Sequence, residues 1–233
     1  MIIQWQGYDW NIPEKEWELA HYDYPYKWYD KSCVKIGING ELKLSTKFNP
    51  KTINLSVNGG SKVIHPKTGI GIVTCNYPFH FGDYEIIAKL PKGDYLWPAI
   101  WLYDLNVWPP EIDIIEAYSN KKCSYWKWKW PFYRIESNFH YKENNVKKSA
   151  GNISMYSGLC NPTNRFIKFE MKWREDYISI LVNGKERRKI TGEIMKFYQN
   201  PMKFILNSGI QKNHNPTSNV SDFIIKSFKY NPY

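Results

Sequence analysis

Apolar and polar residues alternate with a period of two along much of the chain, and this is the pattern of half-buried β-strands. Glu41-Leu42-Lys43-Leu44-Ser45 alternates after an Asn39-Gly40 turn, and Thr52 to Val57 alternates before Asn58-Gly59-Gly60. Gly69 to Thr74, Asp83 to Leu90 and Leu96 to Tyr103 follow, with Tyr84, Ile86 and Ala88 sharing one face. Further strands are predicted over Glu111 to Tyr118, Ile135 to Tyr141, Phe166 to Trp173, Tyr177 to Val182, Lys203 to Ser208 and Phe223 to Tyr230. Asn183-Gly184 between two of them is a strong short hairpin signal. Residues 1–35 carry many aromatics with little periodicity and read as an irregular wrapping segment. Lys142 to Lys148 is polar and reads as a loop. Helical periodicity of useful length is absent, and no repeat, linker or compositional shift divides the chain. The expectation is one all-β domain over residues 1–233, built as a two-sheet antiparallel sandwich.

One stretch departs from simple alternation: Glu111-Ile112-Asp113-Ile114-Ile115-Glu116. Glu111 and Asp113 share a face, with Ile112 and Ile114 on the other. Continued alternation would turn Ile115 toward the acids and Glu116 toward the apolar side, where a carboxylate is costly. One extra residue, a β-bulge near Ile114-Ile115, returns Glu116 to the acidic face. Three carboxylates on one face repel and raise one another's pKa. Two carboxyls of unequal pKa are what glycosidic bond cleavage requires. Glu111 and Glu116 are about four net strand steps apart, roughly 13 Å between Cα atoms. Side chains leaning inward close that to about 5–5.5 Å, the separation of retaining enzymes. The alternative is a solvated acidic strand face.

Composition changes the picture in three ways. Eleven Trp and eighteen Tyr are more than one core needs, so some line a surface or groove, where flat rings suit the C–H faces of sugars. A net charge of +10 favours an acidic polymer as partner: nucleic acid, anionic polysaccharide or an anionic envelope. Four scattered cysteines (Cys33, Cys75, Cys123 and Cys160) contain no Cys-x-x-Cys pair, so a zinc or redox motif is not expected; free thiols are the default and a disulfide stays open. No secretory signal is visible and no apolar run reaches the eighteen residues of a membrane span. Within residues 119–132, Trp126, Trp128 and Trp130 alternate with Lys127 and Lys129. This is either an amphipathic strand with its Trp face on the core or a substrate wall beside the acids.

Leu90-Pro91-Lys92-Gly93, Leu96-Trp97-Pro98-Ala99-Ile100-Trp101-Leu102 and the acidic strand together resemble family 16 glycoside hydrolases: laminarinases, lichenases, agarases, porphyranases and κ-carrageenases. The Glu-x-Asp-x-x-Glu form resembles the bulged branch of that family, which includes laminarinases and galactan-cleaving enzymes. Gly82-Asp83-Tyr84-Glu85, Lys172-Trp173, Val182-Asn183-Gly184-Lys185 and Phe204-Ile205-Leu206-Asn207 extend the resemblance over roughly residues 5 to 230. It implies a concanavalin A-like β-jelly roll with a concave catalytic cleft and an endo-acting retaining β-glycosidase activity on a β-1,3- or mixed-linkage glucan or a galactan. It implies Glu111 as nucleophile, Glu116 as acid/base and Asp113 as modulator of their protonation. Trp97 and Trp101 match the family's sugar-stacking tryptophans, against the alternative of core packing. Trp108 falls at the cleft edge, His140 is a candidate to hydrogen-bond Asp113 or the substrate, Asn207 matches a position near the cleft, and Trp126 is a further substrate-contact candidate.

Three departures mark this chain. The usual Ser-Gly-Arg is replaced around Gly69-Ile70-Gly71-Ile72, and Ala-Val-Gly-Gly-x-Trp by Ser208-Gly209-Ile210-Gln211-Lys212. Lys226 stands where many members carry a calcium-binding Asp, so no metal and no cofactor are expected. The expected partner is a polysaccharide, neutral glucan or anionic galactan, acting outside cells; no nucleic acid, no membrane span and a monomeric state are expected. Two other classes compete. A non-catalytic lectin-like module on the same sandwich has no need of an acidic triad. A nucleic-acid binder is suggested by charge and Lys-Trp interleaving, but carboxylates in its groove would repel phosphate.

Overall fold

A computed structural model describes residues 1–14, 26–57, 60–120, 132–151, 153–154, 162–216 and 220–233. Nine strands form one sheet and seven another. The first runs in the order Ile2–Trp5, Tyr8–Asn11, Ile72–Phe79, Met202–Asn207, Ala99–Asp104, Glu111–Asn120, Phe132–Glu143 and Val146–Ser149, with Ile153–Ser154 also pairing Phe132–Glu143. The second runs Lys185–Thr191, Tyr177–Val182, Ile167–Trp173, Gly82–Lys89, Phe223–Pro232, Leu42–Leu44 and Val34–Ile36. A three-stranded sheet (Lys27–Tyr29, Thr68–Ile70, Thr46–Phe48) and the hairpin Ile53–Val57/Gly60–Ile64 complete it. The expected all-β sandwich is present, and its large sheets are antiparallel. One short pair, Lys27–Tyr29 with Thr68–Ile70, is parallel.

The period-two pattern is the cause of the layering. On Ile167–Trp173, Ile167, Phe169, Met171 and Trp173 are buried while Lys168, Glu170 and Lys172 turn outward. On Ala99–Asp104, Ile100 and Leu102 are buried, leaving Trp101 and Tyr103 on the opposite face. The two inner faces meet in an aromatic centre. Phe204 of the nine-stranded sheet lies 4.8 Å from Phe228 and stacks on Tyr84 at 6.1 Å and 16°. Trp10 meets both Phe204 and Phe228 edge-on. Each such side chain contributes on the order of 1.5–3 kcal/mol by burial. Because the apolar parity of the nine-stranded sheet is committed to this core, its polar parity faces out.

Three expectations are corrected. The N-terminal segment is not wholly irregular: Ile2–Trp5 and Tyr8–Asn11 form a hairpin that extends the large sheet at its edge. Gln6 and Gly7 both adopt positive φ (52° and 82°), the backbone of a tight hairpin turn, without the usual Asn-Gly signal. Lys142 to Lys148 is a second hairpin rather than a loop, turning through Asn144 and Asn145 at φ 51° and 62°. Its polarity reflects an exposed edge strand, where lysines discourage further pairing. Gly69 to Thr74 is two strands, broken at Gly71, where any Cβ would collide with the Cys33 carbonyl. Cys33 and Cys75 are buried and free; Cys123 and Cys160 lie outside the described residues.

Candidate active site

The acidic strand Glu111–Asn120 lies inside the nine-stranded sheet, between Ala99–Asp104 and Phe132–Glu143. On one side Ile100 opposes Ile115 and Trp101 opposes Asp113, so Ile114 is the extra residue. On the other side Asp113 opposes Asn138 and Glu116 opposes Glu136, with two residues against the single Ser137. Ser137 Oγ donates to the Asp113 carbonyl at 2.8 Å where the bulge interrupts the ladder. Ile112, Ile114 and Ile115 are all fully buried. The bulge thus keeps three isoleucines in the core and brings Glu111, Asp113 and Glu116 to one outer face.

Each acid has a distinct environment. Glu111 Oε2 accepts from Trp108 Nε1 at 2.5 Å. Glu116 Oε1 accepts twice, from Trp97 Nε1 at 3.0 Å and Tyr118 Oη at 2.9 Å. Asp113 is the most enclosed, 4% exposed, and its Oδ2 has no hydrogen-bond donor. His140 Nε2 lies 3.3 Å from that oxygen and 3.7 Å from Glu111. The Asn138 carboxamide is held by its Oδ1, which accepts from Ser149 Oγ at 2.6 Å and from the Phe139 amide at 2.8 Å. Its Nδ2 therefore faces His140 Nε2 at 3.0 Å as a donor.

Burial first, and repulsion from Asp113 second, push Glu111 up to about 8, against the opposing pull of Trp108 and His140. Burial and then Glu116 push Asp113 well above the ordinary carboxylate range. The carboxyls of Glu111 and Asp113 meet directly, an arrangement that a shared proton makes favourable. Burial also raises Glu116, while Tyr118 and Trp97 favour its ionised form. Groups raised in this way hold more protons folded than unfolded. Their stability contribution is therefore best near the unfolded pKa of 4.5 and declines as pH rises toward 8. Glu111→Gln and Asp113→Asn are accordingly expected to stabilise the protein at pH 8 by on the order of 2 kcal/mol, roughly 4–8 °C in Tm, and to do little at pH 4.5. Calorimetry at the two pH values measures this; equal Tm shifts at both would refute the protonation scheme.

The expected aromatic and polar residues assemble around the acids. Trp97 stacks on Tyr118 at 5.6 Å and 21°, and Trp101 on Tyr103 at 5.3 Å and 20°. Trp101 Nε1 donates to Asn207 Oδ1 at 2.7 Å, which joins Asn207 to the same face. Trp108 is 46% exposed at the edge. Gly209 is required where it stands, because a Cβ would strike the Trp97 carbonyl, and its own carbonyl accepts from the Trp97 amide at 2.9 Å. Trp126, with the rest of residues 121–131, lies outside the described residues.

Four further residues belong to this face. Glu136 opposes Glu116 and is paired with Arg134 at 2.7 Å. Asn138 and Tyr118 hold His140 and Glu116 as described above. Lys27, from the small sheet, places Nζ 4.7 Å from the Trp97 ring centroid. The alternation of Glu136, Asn138 and His140 with Ile135, Ser137 and Phe139 is a local signal for the second polar strand; nothing local points to Lys27. Among the described residues, Glu111, Asp113 and His140 form a set of metal-type donors within 4.8 Å of one another. These donors already face Trp108 and Asn138, so the arrangement is that of a hydrogen-bonded network. Lys226, at the position matched to a calcium ligand, is exposed, with Nζ 5.7 Å from the Phe166 ring.

Known proteins share both sequence and fold with this chain. It is 42% identical over 71 residues to a β-1,3-glucan-binding protein of Penaeus monodon, covering 28% of this chain and 19% of that one. It is 33% identical over 137 residues to a β-glucanase of Rhodothermus marinus, covering 47% of each. The chain thus spans between a fifth and a half of these relatives' length. The laminarinase catalytic domain of Thermotoga maritima has the same fold, with a TM-score of 0.70 at 18% identity over 96% of this chain and 91% of that one. The sequence profile of glycosyl hydrolases family 16 matches residues 27–222, which contain the acidic strand, both its neighbours and the aromatic edge, and the chain belongs to that family.

Proposed function

We propose that this protein is an endo-acting retaining β-glycosidase that hydrolyses a polysaccharide outside cells. The observation that carries the reading is the single-residue bulge, which turns Glu111, Asp113 and Glu116 onto one face although simple alternation would bury Glu116. Family membership and the glucanase named among the relatives support a β-linked glycan as the bond cleaved.

In the proposed reaction Glu111 attacks the anomeric carbon and Glu116 protonates the departing glycosidic oxygen. The bond to the leaving sugar breaks as the bond to Glu111 forms. Glu116, now ionised, takes a proton from water, which attacks the same carbon and releases Glu111. Trp108 orients the Glu111 carboxylate through its Nε1–H. Asp113 takes up the proton it shares with Glu111 when Glu111 ionises to attack. The two donors on Glu116 both bond Oε1, which leaves Oε2 to carry the transferred proton. A sugar-binding role without cleavage, the activity in the name of the Penaeus monodon relative, gives no reason to bury three mutually repelling carboxyls.

Reducing-sugar release from purified polysaccharides identifies the activity, and early proton NMR reads its stereochemistry. The β-anomer should accumulate first, because double displacement inverts twice. Initial α-anomer would reject the nucleophilic role of Glu111, and binding without release of reducing ends across the panel would reject the enzyme.

A further inference from the structure

Four of the aromatic rings that frame the acids carry a cation. Lys147 Nζ lies 4.2 Å from the Trp108 ring centroid, and Lys203 Nζ 4.0 Å from Tyr103. Lys27 Nζ lies 4.7 Å from Trp97, and the Arg134 guanidinium carbon 5.0 Å from Tyr118. The four cations come from four different strands. Strand pairing accounts for two of the placements, since Lys203 directly opposes Tyr103 and Arg134 opposes Tyr118. Lys147 reaches Trp108 from the edge strand beyond His140. Arg134 is bound to Glu136, whereas Lys147 and Lys203 form no ion pair among the described residues.

This arrangement discriminates between sugars. A cation over an exposed ring face is worth roughly 0.5–1 kcal/mol. A neutral pyranose that stacks on such a face displaces the cation and offers it only neutral hydroxyl oxygens in return. A ring bearing sulfate or carboxylate gives the displaced ammonium a charge-assisted hydrogen bond. The acids weaken this preference little, since burial shifts Glu111, Asp113 and Glu116 toward their neutral forms and Glu136 is paired with Arg134.

We propose that the cleft takes an anionic glycan, whose sulfate or carboxylate substituents are met by Lys147 and Lys203. Cleavage of that glycan rests on the glycosidase reading; its binding does not. The test therefore measures binding with hydrolysis disabled. Glu111→Gln protein is titrated with a sulfated galactan, the same galactan chemically desulfated, a uronate-containing β-glycan and a neutral β-1,3-glucan, at 50 and 200 mM salt. At low salt the sulfated or uronate polymer should bind at least tenfold tighter than its neutral counterpart, and added salt should erase most of the difference. The two anionic arms tell sulfate from carboxylate. Lys147→Gln with Lys203→Gln should remove most of the preference. Lys172→Gln with Lys229→Gln, on the outer face of the seven-stranded sheet, should leave it intact. Neutral glucan binding as tightly as the anionic polymers would overturn the proposal. So would an equal loss in the distal pair, or equally tight binding of DNA, because either shows general basicity alone. Tight binding of an anionic glycan that the unmodified protein never cleaves would uphold the proposal while defeating the glycosidase reading.

Discussion

Replacing Glu111 by alanine is expected to lower kcat at least about 10⁴-fold, a barrier increase of roughly 5.4 kcal/mol, with the fold intact. Loss of the nucleophile removes the covalent route, and no neighbouring group can take its place: Asp113 is enclosed and its pKa is pushed up by burial, and His140 is engaged by Asn138. The fold should tolerate the change. The side chain of Glu111 is 14% exposed, its partner Trp108 is at the surface, and removing one of two repelling carboxyls relieves Asp113. Azide supplied to the variant should restore turnover of an activated β-glycoside and yield the α-glycosyl azide, because a small anion can occupy the vacated space. A folded Glu111→Ala protein with near-normal activity would remove Glu111 from the mechanism.

Glu116→Ala should lower activity on polysaccharide about 10²- to 10⁴-fold, the usual range for a general acid. The loss should depend on the leaving group. A dinitrophenyl glycoside needs no protonation to depart, so its first step should survive and a glycosyl-enzyme should accumulate. The pH profile gives an independent reading. Burial raises the Glu116 pKa, and the acid must be protonated, so wild-type activity should fall as pH rises through that value. In Glu116→Ala this alkaline limb should flatten. An unchanged limb, or equal losses on good and poor leaving groups, would assign the proton to another residue.

Much of this is legible in the sequence itself. Alternation named ten of the sandwich strands because burial on one face imposes a period of two, whatever the sheet order. The bulge was legible for the same reason: without it, Glu116 would enter the core, and the energetic penalty of a buried carboxylate argues for the extra residue. Where alternation was weak, the reading failed. The N-terminal hairpin turns at Gln6-Gly7, and the edge hairpin at Asn144-Asn145, by positive φ in residues that carry no standard hairpin signal. The edge strand reads as a loop because all four of its residues are exposed, so no apolar face betrays it.

What one strand contains, its own residues determine. Glu111, Asp113 and Glu116 share a face through local spacing and one inserted residue, and the chemistry they allow follows from that. What lies across from them, only the tertiary structure decides. Lys203 sits over Tyr103, and Asn207 bonds Trp101, because Met202–Asn207 pairs beside Ala99–Asp104 across about a hundred residues of chain. Lys27 reaches Trp97 from a separate small sheet. The raised pKa values of Glu111 and Asp113 likewise depend on how deeply the finished sandwich encloses them. Side-chain periodicity is a property of neighbouring residues, whereas strand order, cation placement and desolvation arise from contacts between segments distant in sequence.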